Sequence, residues 1–233
     1  MRKCYLRQLG RVDYGRALEL QQQAETGRKL GLIDDQLLLL EHPHVITLGR
    51  NGRMENLLAS DEILSRAGIS FYPINRGGDV TYHGPGQLVG YPILDLREWK
   101  RDVGAYVRGI EQCIIDTLAG YGIEAGRIPK LTGVWVDGRK IAAIGVHLSR
   151  WVTSHGFALN VSTDLSYFQY IVPCGLTRPV TSMAALGVHA TLDEVGEHFA
   201  AHFARIFDCE LVTQPSGLQA IPEPAHTESE ILL

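Results

Sequence analysis

Val134-Trp135-Val136-Asp137-Gly138-Arg139-Lys140-Ile141-Ala142-Ala143-Ile144-Gly145-Val146 reads as two strands and a tight turn. Val134 to Val136 and Ile141 to Val146 are apolar runs. Asp137-Gly138 between them suits a type I′ turn, which needs positive φ at both central residues. Phe157 to Val161 extends the same sheet. Further out, Gln36 to Glu41 and Val45 to Gly49 flank His42-Pro43-His44 and are predicted to pair around it as a turn. Ile69 to Ile74, Gln87 to Leu94 and Glu210 to Thr213 are further strands. A helix is expected over Val12 to Leu30, closed by Gly31. Ser60 caps a short helix over Asp61 to Ala67, ended by Gly68. Asp102 caps a long one, with Val103, Tyr106, Val107, Ile110, Ile114 and Leu118 on a 3.6-residue stripe. Thr191-Leu192-Asp193-Glu194 fits a capping box, followed by the stripe Val195, Phe199, Phe203 and Ile206. Hairpins dominate, and βαβ repetition is missing. The predicted fold class is α/β in the α+β sense: a mixed, mainly antiparallel sheet with packed helices.

The chain has 233 residues, 45% of them hydrophobic and 21% charged, which suits one globular domain with a full core. Residues 1–213 are expected to form that single domain. Residues 214–233, with three prolines and little periodicity, read as a loosely packed or disordered tail. A net charge of −4 gives no global pull toward nucleic acid or an anionic membrane. Neither a signal peptide nor a bilayer-spanning run is legible, so the protein is expected in the cytoplasm. Cys4, Cys113, Cys174 and Cys209 form no CxxC pair, so neither a zinc knuckle nor a dithiol site is suggested. His198 and His202 are four apart on a helix, but no Glu follows in the HExxH manner and no metal is expected there.

Four segments can carry chemistry. The first runs through Arg76-Gly77-Gly78-Asp79-Val80-Thr81-Tyr82-His83-Gly84-Pro85-Gly86-Gln87, between two strand candidates. Its glycines let a ligand lie against the main chain. It is not a P-loop, because no Gly-Lys-Ser/Thr follows. A long connection with turn glycines reads about as well. The second is Arg139 to His147, where Lys140 follows the turn. An isolated lysine there is ordinarily a solvated one, and Ala142, Ala143 and Gly145 suit either a ligand or plain close packing. The third is Ser154-His155-Gly156-Phe157-Ala158-Leu159-Asn160, where His155 is equally a surface histidine or a site group. In the fourth, Pro173 and Gly175 set Cys174 on a constrained bend. A thiol titrating near ~8.5 needs a neighbouring cation to work at neutral pH. Cys4, Cys113 and Cys209 read as small buried residues.

Taken together, these ordered segments resemble the lipoyl(octanoyl) transferase family. The likeness runs through Glu41-His42-Pro43, Thr47-Leu48-Gly49-Arg50, Arg76 to Ile93, Lys140 to His147, His155 to Asn160, Pro173-Cys174-Gly175-Leu176 and Val180-Thr181-Ser182-Met183. The tail after Gln214 lies outside it. The resemblance implies a fold like the catalytic domains of biotin and lipoate ligases. It implies transfer of octanoyl, or lipoyl, from acyl carrier protein to a lysine of a lipoyl domain, in 2-oxoacid dehydrogenase complexes and the glycine cleavage H protein. By the same likeness Cys174 carries the acyl thioester and Lys140 stands beside it. Substrate-binding positions map to Arg76, Gly77, Gly78, Asp79, Val80, Thr81, Tyr82 and His83, to Ala143, Ile144 and Gly145, and to Gly156, Phe157 and Ala158. No cofactor or metal is implied.

That chemistry suits these residues. A cysteine thioester keeps the acyl group activated and divides the transfer into two easier steps. Lys140 can act as a fixed cation favouring the thiolate, or carry a proton, and the residues alone leave both open. Arg127, Lys130, Arg139 and Arg150 are candidates for docking an acidic carrier protein. Three other readings differ in their chemistry. An ATP-dependent ligase needs no nucleophilic cysteine, a cysteine hydrolase using His83, His147 or His155 releases free octanoate, and a binding module forms no adduct.

Overall fold

The computed structural model describes residues 1–172 and 178–214. Cys174 and the tail beyond Gln214 lie outside the described residues. Among the described residues, eleven strands form two sheets: β1 (Arg2–Arg11), β2 (Asp35–Glu41), β3 (Val45–Leu48), β4 (Ser70–Pro73), β5 (Val80–His83), β6 (Gln87–Ile93), β7 (Gly126–Ile128), β8 (Leu131–Val136), β9 (Arg139–Ser149), β10 (Val152–Asn160) and β11 (Cys209–Thr213). The large sheet runs β11-β1-β2-β6-β10-β9-β8-β7. Its β11–β1 and β1–β2 pairings are parallel and the other five antiparallel. The small sheet runs β4-β3-β5, parallel on one side of β3 and antiparallel on the other. The mixed, mainly antiparallel architecture follows the expectation.

Helices α1 (Tyr14–Lys29), α2 (Asp61–Arg66), α3 (Val103–Ala119) and α4 (Leu192–Ile206) begin where side-chain caps accept backbone N–H groups, from Asp13, Ser60, Asp102 and Thr191. Thr191 and Glu194 complete the capping box. None of the described helices is long and apolar enough to cross a membrane. Strand β2 explains the packing. Leu37 and Leu39 join the core under α3 and α4, while Leu38 and Leu40 join the core under α1. A strand covered on both faces is a continuous apolar run rather than an alternating one.

The β8–β9 hairpin turns at Asp137 (φ 47°) and Gly138 (φ 74°), as a type I′ turn requires. One predicted pairing is corrected. β2 and β3 do not pair with each other: β2 lies between β1 and β6, and β3 between β4 and β5. His42-Pro43-His44 is a crossover between sheets. Buried His42 anchors it, donating from Nδ1 to the Val12 carbonyl (2.7 Å) and accepting from the Tyr91 hydroxyl at Nε2 (2.7 Å). Strand β5 occupies part of the glycine-rich segment read as a connection. Strand β1 was not legible, because Arg2, Lys3, Arg7 and Arg11 break its apolar pattern and its pairings are both with distant segments.

Candidate active site

A cavity lies between the two sheets. Tyr14, Arg76, Gly78, Thr81, His83, Tyr91, Ala143, Ile144, Gly145, His155, Gly156, Phe157 and Ala158 line it. One wall is sheet: Gly156, Phe157 and Ala158 of β10 pair with Gly145, Ile144 and Ala143 of β9. The opposite wall is the segment from Arg76 into β5. Small residues let the walls meet. A Cβ on Gly145 would stand 2.8 Å from the Gly77 carbonyl oxygen and 3.0 Å from Arg76 Cδ. A Cβ on Gly156 would stand 2.1 Å from the Gly90 carbonyl oxygen. The Gly77 N–H donates to the Val146 carbonyl at 2.9 Å, tying the segment down on β9.

Strand periodicity sorts the residues of β5. Thr81 and His83 face the cavity, while Val80 and Tyr82 point the other way, into the small sheet's core. The Tyr82 hydroxyl donates to His44 Nδ1 at 2.8 Å, and its ring stacks on Tyr167. Asp79 is also directed away. Its carboxylate accepts from the Arg53 and Val80 N–H groups and from the Asn56 amide, holding the turn at 53–56. Arg76 lines the cavity, and its guanidinium donates to the Thr47 carbonyl (2.9 Å), Thr47 Oγ1 (2.8 Å) and the Gly77 carbonyl (3.0 Å). Gly77 lines an adjoining cleft instead. The mapped residues Val80, Tyr82 and Asp79 therefore shape the wall from behind rather than lining the cavity.

Tyr14, Tyr91 and His155 line the cavity without having been mapped to it. Together with His83 they add polar groups to its lining. Burial, reinforced by neighbouring positive charge, holds His83 down to about 3 and His155 down to about 3. Burial likewise holds His42, behind Tyr91, down to about 4. His83 Nδ1 donates to Gln87 Oε1 (2.8 Å), and Gln87 Nε2 donates to Asn160 Oδ1 (2.9 Å). His155 sits in mid-strand with φ 57°, a left-handed conformation. Its N–H donates to Gln21 Oε1 of α1 (2.9 Å), and its Nε2 donates to Asn75 Oδ1 (2.8 Å).

Lys140 is the second residue of β9. Its side chain is buried, with the ammonium 4.8 Å from the Trp135 ring centroid. Its main chain is bracketed: the Lys140 N–H donates to the Pro179 carbonyl and its carbonyl accepts from the Thr181 N–H, both at 2.9 Å. Arg178 shares the Trp135 ring at 6.0 Å. Lys140 lines a second cleft of about 400 Å³ that shares Gly78, Ala143, Ile144 and Gly145 with the first cavity. Cys174 itself lies outside the described residues. Cys4, Cys113 and Cys209 are free and buried, and burial pushes the Cys113 thiol up. His198 packs on Tyr121, while His202 lies 4.0 Å from Asp116.

The family described as lipoyl protein ligase A/B catalytic domain matches residues 13–204. An octanoyltransferase of Solibacter usitatus is 81% identical over 91% of this chain and 96% of its own length. An octanoyltransferase of Acidobacterium capsulatum is 49% identical over 93% of this chain and 95% of its own. Among solved structures, the bi-partite lipoate protein ligase of Thermoplasma acidophilum superposes with a TM-score of 0.74 at 18% identity, covering 92% of this chain and 88% of that one. The biotin protein ligase of Aquifex aeolicus gives 0.51 at 10% identity, over 88% and 69%. These two likenesses establish a shared fold.

Proposed function

The chain belongs to the lipoyl protein ligase A/B catalytic family, as one of its octanoyltransferases, and on that premise we propose how its residues move the acyl group. The Cys174 thiolate attacks the carbonyl carbon of an octanoyl thioester on acyl carrier protein. The carrier's thiolate leaves and takes up a proton, and octanoyl remains as a thioester on Cys174. The amine of a lipoyl-domain lysine then attacks that carbonyl. It loses a proton as the amide forms, and the Cys174 thiolate is expelled. Acceptors are the lipoyl domains of 2-oxoacid dehydrogenase complexes and the glycine cleavage H protein. The reaction is placed in the cytoplasm. The catalytic body spans residues 1–213, and the tail from 214 is accessory to it.

The observation that carries this reading is the position of Lys140. It lines the cleft that shares Gly78 and Ala143 to Gly145 with the first cavity, and residues that follow Cys174 in sequence bracket its main chain at Pro179 and Thr181. A buried ammonium there favours a thiolate over a thiol. Octanoyl is assigned to the cavity lined by Ala143 to Gly145 and Gly156 to Ala158. Its volume of about 40 Å³ has room for about three waters.

Intact-mass measurement after mixing with octanoyl carrier protein tests the scheme. An octanoyl-sized gain is expected without ATP, absent in Cys174→Ser and slow to form in Lys140→Ala. A gain that persists in Cys174→Ser, or one that requires ATP, sinks it.

A further inference from the structure

The cleft beside Lys140 has a charge pattern that octanoyl does not use. Pairing between β8 and β9 reaches Val134↔Ala142 and goes no further toward the start of β8. The cleft opens where the two strands part, between Lys130, Leu131 and Thr132 on one side and Ala143 to Val146 on the other. Among the described residues that line it, the only charges are Lys140 and Lys130. Strand periodicity aims the main-chain groups of Ile144 the same way as the Val146 carbonyl, which accepts from Gly77. The middle of the cleft is thus an uncharged strip with peptide groups available.

The ends differ. Lys130, in the turn just before β8, lines the cleft together with Val146 of β9. Lys140 is six residues away along β9, roughly 20 Å at the rise of a strand. Lys130 takes φ 68°, a backbone conformation that lysine does not favour. The other basic candidates nearby are engaged. Arg127 is held by Glu111 at 2.7 Å, and Arg139 lies 3.8 Å from Asp137. Among the described residues, no carboxylate makes such a pair with Lys130.

Resting on the donor reading above, we propose that this cleft receives the donor's 4′-phosphopantetheine arm, and that Lys130 is a specificity residue binding its phosphate. The thioester end lies at Ala143 to Gly145 beside Lys140. The amides of the arm run along the uncharged strip. From sulfur to phosphorus the arm is about thirteen bonds, roughly 15 Å at the scale of an extended chain. The Lys130 side chain covers the remaining distance. A lysine meets phosphate as a point charge, without a fixed fork.

The test uses the full chain with octanoyl-4′-phosphopantetheine and octanoyl-pantetheine as donors and a lipoyl domain as the acyl acceptor, read as thiol release under steady state. Wild type is expected to show a KM about tenfold lower for the phosphorylated thioester, the size of one charge-assisted contact. Lys130→Ala and Lys130→Gly should erase that difference through the phosphorylated substrate alone, with kcat and the other KM within about twofold of wild type. Lys130→Arg should retain it. The glycine variant relaxes the left-handed backbone, so agreement between it and the alanine variant assigns the effect to charge. Equal KM values in wild type, or a parallel rise of both in Lys130→Ala, overturn the assignment. With octanoyl carrier protein and octanoyl-coenzyme A as donors, the Lys130→Ala loss should appear on the carrier protein, and a loss confined to coenzyme A overturns it. If the donor reading itself fails, wild type releases thiol from neither thioester, which overturns both.

Discussion

Lys140 shows how little one residue declares by itself. On sequence it is a lysine after a turn, and its tertiary surroundings are a Trp135 ring and a cleft. Gly145 is similar: small by sequence, and necessarily small because the Gly77 carbonyl lies on it. Gly145→Ala is expected to lower kcat/KM for octanoyl transfer at least tenfold. Overpacking of this kind costs about 1–3 kcal/mol of stability. Gly126→Ala, where nothing lies within 4 Å of the new Cβ, should leave both unchanged, and urea melts with steady-state rates compare the pair. The buried histidines set a pH dependence. His42, His83 and His155 are held near 4, 3 and 3 in the fold, against about 6.5 in an unfolded chain. The unfolded chain therefore binds more protons below that value. Their neutral forms contribute stability in full above about pH 6.5, and it is lost as pH falls toward the folded values. Each contributes up to about 1.4 kcal/mol per pH unit in that window. Urea midpoints at descending pH should fall accordingly, and His83→Gln should flatten the slope by one histidine's share. A slope unaltered by His83→Gln would refute the assignment.

At the scale of elements, strand period decides which residues of the glycine-rich segment meet a ligand. Its glycines hid β5, so a residue list taken from the motif included Val80 and Tyr82, which face the other core. The short turn at 137–138 was legible because its backbone demand selects Asp-Gly. The crossover at 42–44 was not, because Pro43 is equally at home in a turn or between sheets. Elements also act on the site from a distance. Gln21 of α1 accepts from the His155 N–H and supports its left-handed backbone. Gln21→Leu leaves that N–H buried without an acceptor, at a cost of about 1–3 kcal/mol. The expected result is a lower melting temperature and a reduced kcat/KM for octanoyl transfer. Unchanged kinetics in a folded Gln21→Leu protein would remove Gln21 from the site's support.

At the scale of the whole molecule, the large sheet reaches past the region shared with the family. Residues 13–204 exclude β1 and β11, yet β1 covers one edge of β2, and the Gln214 N–H donates to the Leu6 carbonyl. A chain ending at Gln214 is expected to keep its octanoyl transfer rate and its melting temperature. One ending at Asp208 should melt several degrees lower, because β1 then becomes an unpaired edge; calorimetry of the two truncations tells them apart. The sequence by itself determined the mixed, mainly antiparallel class, the capped starts of α2, α3 and α4 and the 137–138 hairpin. Each of these is written in residues close together along the chain, where caps, turn chemistry and periodicity act. It also carried the family likeness, in motifs whose order survives reading in one dimension. Only the tertiary structure decided that β2 and β3 belong to different sheets, and that Thr81 and His83 line the cavity while Val80 and Tyr82 support it. It alone brought Tyr14, Tyr91 and His155 to the lining of that cavity and Lys140 to that of the adjoining cleft. Those outcomes depend on pairings between segments tens of residues apart, and local preference carries no information about which distant strand a strand will meet.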